Sequence, residues 1–187
     1  MIPDFKNLEN GEIVQIGYQR VNCHIIFDVN MEDFRRKARL VAGRHVTEPP
    51  ATITYTSVVS KETVRINLTL AALNDFPVKV ADIQNAYMTA PVIEKIWAVL
   101  GQEFGEDAGR KFIVVWAIYG LKSTGAAFWN HFKEYMQHLV FLTCPADLYL
   151  WMKPTVRPED RFYYYAELLI YVDDVMVIHN DAESVLR

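Results

Sequence analysis

With 187 residues, 51% hydrophobic and 22% charged, the chain has enough apolar material for a packed core and the length of one large or two small domains. Its net charge of −4 speaks against a general nucleic-acid binder, which carries surplus Lys and Arg. The longest apolar run, Phe112 to Tyr119, falls well short of a membrane span, the amino end lacks a signal-peptide pattern, and the two cysteines, Cys23 and Cys144, stand too far apart for a disulfide framework or zinc knuckle, so a reducing, intracellular setting is expected.

EIVQIGYQ, HIIFDV and RLVAG read as strands, punctuated by Gly11, Gly17 and Gly43. The last lies within RRKARLVAGR, Arg35 to Arg44, where five of ten residues are basic and none is acidic. Such a run is either a solvated face or a binding strand, and strand alternation sends Lys37 and Arg39 to one side, Ala38 and Leu40 to the other. EPPATITY is extended or loop, because each proline disfavours helix at the residue before it. From Ser57 to Leu73, Val59, Ile66, Leu70 and Leu73 recur at helical spacing and Pro77 closes the segment, which predicts a helix with those residues inward. VKVADI, Val78 to Ile83, reads as a buried strand ending in a carboxylate. A second helix is expected from about Gly125 to Val140, with Phe128, Phe132, Tyr135 and Leu139 as its core stripe. FYYYAELLIYV and VMVIH then read as the two strands of a hairpin, with Asp173 and Asp174 at its turn.

Two adjacent carboxylates repel each other, and hairpin turns are ordinarily made by Asn-Gly, Asp-Gly or Gly-X. The pair therefore calls for a cation, and Mg²⁺ suits it because this ion takes oxygen ligands, often one or two carboxylates plus substrate phosphates. Asp82, at the end of its own strand, supplies a third carboxylate if that strand lies beside the hairpin. Two metals about 3.5–4 Å apart at such an edge would activate a hydroxyl and stabilise the leaving oxygens of a phosphoryl transfer. No phosphate-binding G-x-x-x-x-G-K-[ST] loop and no Ser-His-Asp pattern occurs, and His24, His45, His131, His138 and His179 show no metal-binding spacing.

Four blocks together resemble one family. YVDD (Tyr171 to Asp174) matches the Y-x-D-D signature of reverse transcriptases, and DIQNAY (Asp82 to Tyr87) resembles their D-x-x-x-A-[FY] motif. AIYGLKSTGAAFW (Ala117 to Trp129) and RRKARLVAG resemble two blocks of copia-type (Pseudoviridae) LTR-retrotransposon Pol polyproteins, with Ser123-Thr124-Gly125 departing from the usual Gln-Ala-Pro. The resemblance implies an α+β right-hand polymerase: fingers and palm, an antiparallel palm sheet with helices on one face, and the thumb missing. Fingers would span 1–77 and 89–118, the first palm strand 78–88, and the rest of the palm, with the YVDD hairpin, 119–187.

The same resemblance implies RNA- or DNA-templated DNA synthesis by two-metal transfer of dNTPs onto a primer 3′-OH, using two Mg²⁺ ions or Mn²⁺ in their place. Asp82, Asp173 and Asp174 would be catalytic, with Asp82, Asp173 and the Ile83 carbonyl as metal ligands. Lys37, Arg39, Asn85, Ala86, Tyr87, Tyr119, Gly120 and Lys122 would contact the nucleotide, Tyr87 excluding a ribose 2′-OH. Partners would be template-primer and the remaining Pol parts, namely thumb, RNase H and integrase, with no membrane, in a cytoplasmic virus-like particle if the element is active. Two alternatives remain from the sequence: a truncated relic that folds without catalysing, and another palm-fold nucleotidyl transferase.

Overall fold

The computed structural model describes residues 6–8, 12–29, 31, 34–43 and 57–186; the segment EPPATITY, Gly11, Arg44 and His45 lie outside them. In chain order the elements are strands β1 (Lys6–Asn7), β2 (Gln19–Val21), β3 (Cys23–Val29) and β4 (Arg36–Ala42), helix α1 (Lys61–Leu73), strands β5 (Val78–Asp82), β6 (Pro91–Val99) and β7 (Lys111–Trp116), helix α2 (Thr124–His138), strands β8 (Leu142–Cys144), β9 (Asp147–Val156), β10 (Tyr163–Tyr171) and β11 (Asp174–Ile178), and a last turn of helix, α3 (Ala182–Val185). The architecture is mixed α+β, as expected. The described residues fall into two compact units, drawn from Met1–Tyr55 with Asn85–His131, and from Thr56–Gln84 with Phe132–Arg187.

In the first unit, β1-β7-β6-β2 form a four-stranded sheet, and β3 and β4 an antiparallel hairpin. Val21, Ile96, Ala98, Phe112, Val114 and Ile118 make its core. The strand expected over EIVQIGYQ is reduced to its last residue. Ile13 and Ile16 are exposed, and Gly17 turns the chain at φ +95°, so pairing with β6 begins only at Gln19. Alternation in sequence marks a strand only where a partner strand is present to pair with it.

In the second unit, β5-β11-β10-β9-β8 form an antiparallel sheet. Leu150 and Trp151 are neighbours on β9 and so face opposite ways. Leu150 joins Leu169 and Ile178 beneath Val64 and Ala71 of α1, whereas the Trp151 ring meets Phe132 of α2 at 6.3 Å. Each face thus carries a helix, a correction to the expectation of helices on one face. Burying a large apolar side chain here is worth about 1.5–3 kcal/mol.

Helix α1 begins where the Ser60 hydroxyl accepts from the Thr63 N–H at 3.0 Å. Asp147 fixes that end: its carboxylate accepts from the Ser60 N–H (2.9 Å) and the Thr63 hydroxyl (2.6 Å). Partial burial raises the Asp147 pKa, but these hydrogen bonds and one from the Tyr149 N–H outweigh it and hold the group below the usual carboxylate range. With its start tied to β9 and its end joined to β5 through residues 74–77, α1 presents Val64, Asn67 and Ala71 inward. Ile66, Leu70 and Leu73, expected inside, are exposed. Similarly, β5 is an edge strand rather than a buried one, with Val80 66% exposed. On α2, Phe128 and Met136 are buried, while Tyr135, and Leu139 just past the helix end, are exposed.

Candidate active site

Antiparallel pairing of β10 with β11 carries through to Tyr171 opposite Asp174, leaving Val172 and Asp173 as a two-residue turn. Val172 has φ +59° and Asp173 is not left-handed, the pattern of a type II′ turn, whose first position is normally Gly. A β-branched residue there is strained by about 1–3 kcal/mol. Asp174 is therefore not at the tip but opens β11, a refinement of the sequence expectation.

On the far side of β11 lies β5, with Asp174 directly opposite Asp82. Residues so paired project to the same face with Cβ atoms about 4.5–5.5 Å apart, and like charges in that relation are destabilising. Asp173 is joined to the same edge through its carbonyl, which accepts from the Ile83 N–H at 2.8 Å. Asp82 and Asp174 are exposed and Asp173 is half-buried. The donors are hard oxygens, the chemistry a small dication takes. Among the described residues no group of three His, Cys, Asp or Glu side chains is gathered to hold an ion. Two carboxylates still fit Mg²⁺, which needs only one or two from the protein when phosphates complete its shell.

The other expected site residues belong to the first unit. Lys37 and Arg39 do share one face of the β3–β4 hairpin, Lys37 opposite Asp28 and Arg39 opposite Ile26. The Arg39 guanidinium sits 5.9 Å above the Tyr119 ring. Tyr119 in turn meets Tyr87 edge-on at 5.0 Å, and Tyr87 meets Phe128 edge-on at 6.0 Å. Gly120 could be nothing else: φ is +92°, and a Cβ would fall 2.0 Å from the Ala42 carbonyl oxygen. That close approach lets the Tyr119 carbonyl accept from the Ala42 N–H at 2.7 Å, locking the Tyr119–Gly120 turn onto β4.

Asn85 takes a left-handed conformation, φ 56°, leading into the short turn at Ala86–Thr89; Ala86 is buried, and Lys122 half-buried. The departure at Ser123-Thr124 has a local explanation. The Ser123 hydroxyl donates to the Glu94 carboxylate and the Thr124 hydroxyl to the Ile118 carbonyl at 2.6 Å, which fastens the start of α2. Three participants went unread in the sequence. Glu94 lies in a strand that was not foreseen, Asp28 stands inside an apolar strand, and Phe128 was read as core alone.

Fold and motifs now define the class. Residues 12–186 match the family described as reverse transcriptase (RNA-dependent DNA polymerase), and the chain belongs to it. Among curated proteins it is similar to the retrovirus-related Pol polyproteins from transposons RE2 and RE1 of Arabidopsis thaliana, at 26% and 25% identity over 151 residues, and from transposon TNT 1-94 of Nicotiana tabacum, at 26% over 174 residues. These alignments cover 79%, 79% and 88% of the chain, which spans only about a tenth of the length of those relatives (10%, 10% and 13%). The family and these relatives support the copia-type retrotransposon assignment made from the motifs. No solved structure gives a significant match. Among the described residues no helix is long and apolar enough to cross a membrane.

Proposed function

We propose that this chain provides the catalytic edge and nucleotide-binding surface of a template-directed DNA polymerase that adds dNTPs to a primer 3′-OH. The observation that carries this reading is the direct pairing of Asp82 with Asp174, with Asp173 tied to the same edge. Like charges placed opposite each other cost stability, and a bound dication offsets that cost. Bound Mg²⁺, or Mn²⁺ in its place, would lower the pKa of the attacking hydroxyl and neutralise charge on the phosphates. Asp82, Asp173 and the Ile83 carbonyl are the proposed ligands, with Asp174 as the supporting carboxylate.

In the proposed reaction the primer 3′ oxygen bonds to the α-phosphorus, the bond from that phosphorus to the β-phosphate's bridging oxygen breaks, pyrophosphate leaves, and the hydroxyl proton passes to solvent. Lys37 and Arg39 neutralise the triphosphate, together with Lys122 and the Asn85 and Ala86 amides. Tyr87, backed by Tyr119 and Phe128, fills the space that a 2′-OH would need. Fingers and palm subdomains, a template-primer duplex, and thumb, RNase H and integrase partners in a Pol polyprotein within a virus-like particle belong to the same proposal.

Primer extension on an RNA template tests it. The folded chain, supplied with Mg²⁺ or Mn²⁺ and dNTPs, is expected to extend the primer, and Asp82→Asn and Asp173→Asn are each expected to cut the rate by a hundredfold or so. A chain that melts cooperatively yet extends no primer with either metal would count against its acting as a polymerase by itself.

A further inference from the structure

Asp28 is the one acidic position in β3, and the register sets it opposite Lys37 and diagonal to Arg39 on the same face of the hairpin. Its Oδ2 lies 3.4 Å from an Arg39 guanidinium nitrogen. Both side chains are open to solvent, at 57% and 40% exposure, so burial does not enforce the pairing. The same guanidinium is the one stacked above Tyr119. One carboxylate thus stands between the two cations that the proposed function assigns to the triphosphate.

We propose that Asp28 is a built-in counter-charge that competes with the triphosphate for Arg39, so that this chain binds nucleotide only by displacing its own carboxylate. The inference rests on the proposed role of Arg39. The energetic reasoning is simple. An exposed ion pair is weak, so a polyanion outcompetes it readily. While it lasts, however, it cancels part of the attraction that Lys37 and Arg39 exert, and that loss is felt in affinity rather than in the chemical step. Asp28 therefore tunes how much triphosphate is needed for half-occupancy and leaves the fold alone.

The test uses sodium triphosphate, which has no base or sugar, titrated calorimetrically into the full chain, the variants Asp28→Asn and Arg39→Gln, and the double variant. Asp28→Asn is expected to tighten binding about two- to fivefold, the span that an exposed ion pair is worth. In the Arg39→Gln background the gain should vanish, and in 1 M NaCl it should shrink, since screening then acts over about 3 Å. Circular dichroism melts of all four proteins should coincide within a few degrees. Equal or weaker triphosphate binding by Asp28→Asn overturns the proposal, as does a gain that survives intact without Arg39. If Arg39→Gln alone binds triphosphate as well as the parent, the assignment of Arg39 to the nucleotide fails instead.

Discussion

Replacing Glu167 by Gln should stabilise the protein at alkaline pH and leave it unchanged at acid pH. Glu167 lies on β10 with Met152 and Ile178 as its cross-strand neighbours, neither able to donate a hydrogen bond. The lysines Lys79 and Lys153 register opposite Val177 and Ala166, so their side chains emerge on the other face of the sheet. Burial without a cation pushes the carboxyl from its ordinary 4.5 up to about 7. Below pH 4.5 the group is protonated in both folded and unfolded chains and costs nothing. As pH rises from there toward 7, the unfolded chain gains the ionised form while the folded chain resists it, so stability is lost across that window and levels off above it. The full gap would be worth about 3 kcal/mol, and water reaching the partly exposed carboxyl brings it to about 1–2 kcal/mol. Urea unfolding of parent and variant, followed by tryptophan fluorescence at several pH values, isolates this one group in the difference. That difference should be near zero at pH 4.5 and reach its plateau by about pH 8. A difference that is flat with pH, or largest in acid, would refute the reasoning.

Asn67→Leu should raise the urea midpoint by the equivalent of about 1 kcal/mol, because Asn67 is 2% exposed and its Oδ1 has no hydrogen-bond partner; a lower midpoint would mean that the bond from its Nδ2 to the Thr63 carbonyl matters more. Gly120→Ala should destabilise by at least about 1–3 kcal/mol, since the new methyl meets the β4 backbone, and an unchanged melting temperature would contradict the close approach at Ala42. Val172→Gly should melt at or slightly above the parent temperature, as relief of the left-handed valine outweighs the entropy of glycine; a clear loss of stability would mean that the turn is not strained. In primer extension, Tyr87→Ala should lower discrimination against ribonucleotides by about two orders of magnitude, and undiminished rejection would remove Tyr87 from the sugar pocket.

The hairpin that carries Asp173 and Asp174 was legible because two apolar runs flanking a short polar break admit few other structures. The adjacency of β5 was legible only as a condition: nothing local to VKVADI says which strand it joins. Its exposure was hidden for the same reason, since Val78 and Val80 look alike in an edge strand and a central one. Helix α1 shows the sharper failure. Its hydrophobic period marks Ile66, Leu70 and Leu73, yet the helix is rotated to bury Asn67 and Ala71 because Asp147, 87 residues from Ser60, fixes one end. Such a constraint leaves no trace in a window of helical length. The Arg39, Tyr119, Tyr87 and Phe128 stack was present in the sequence as separate motifs. What joins them is the Gly120 turn against Ala42, and only the positive φ and the missing methyl reveal it.

Each compact unit is drawn from two separated stretches of chain, and this bears on how the protein is made. The sheet of the first unit cannot close until Lys6 finds Ile113, and that of the second until Asp82 finds Asp174. During synthesis both early stretches leave the ribosome before the later strands they pair with have been made, β7 and β6 for β1 and β2, and β11 for β5. Loop-closure entropy must then be met before the pairing rewards it, so folding should be late and slow, with apolar strands waiting unpaired in the interval. For the same reason a cut between Gln84 and Asn85 would divide both units at once, giving two pieces that regain structure only together.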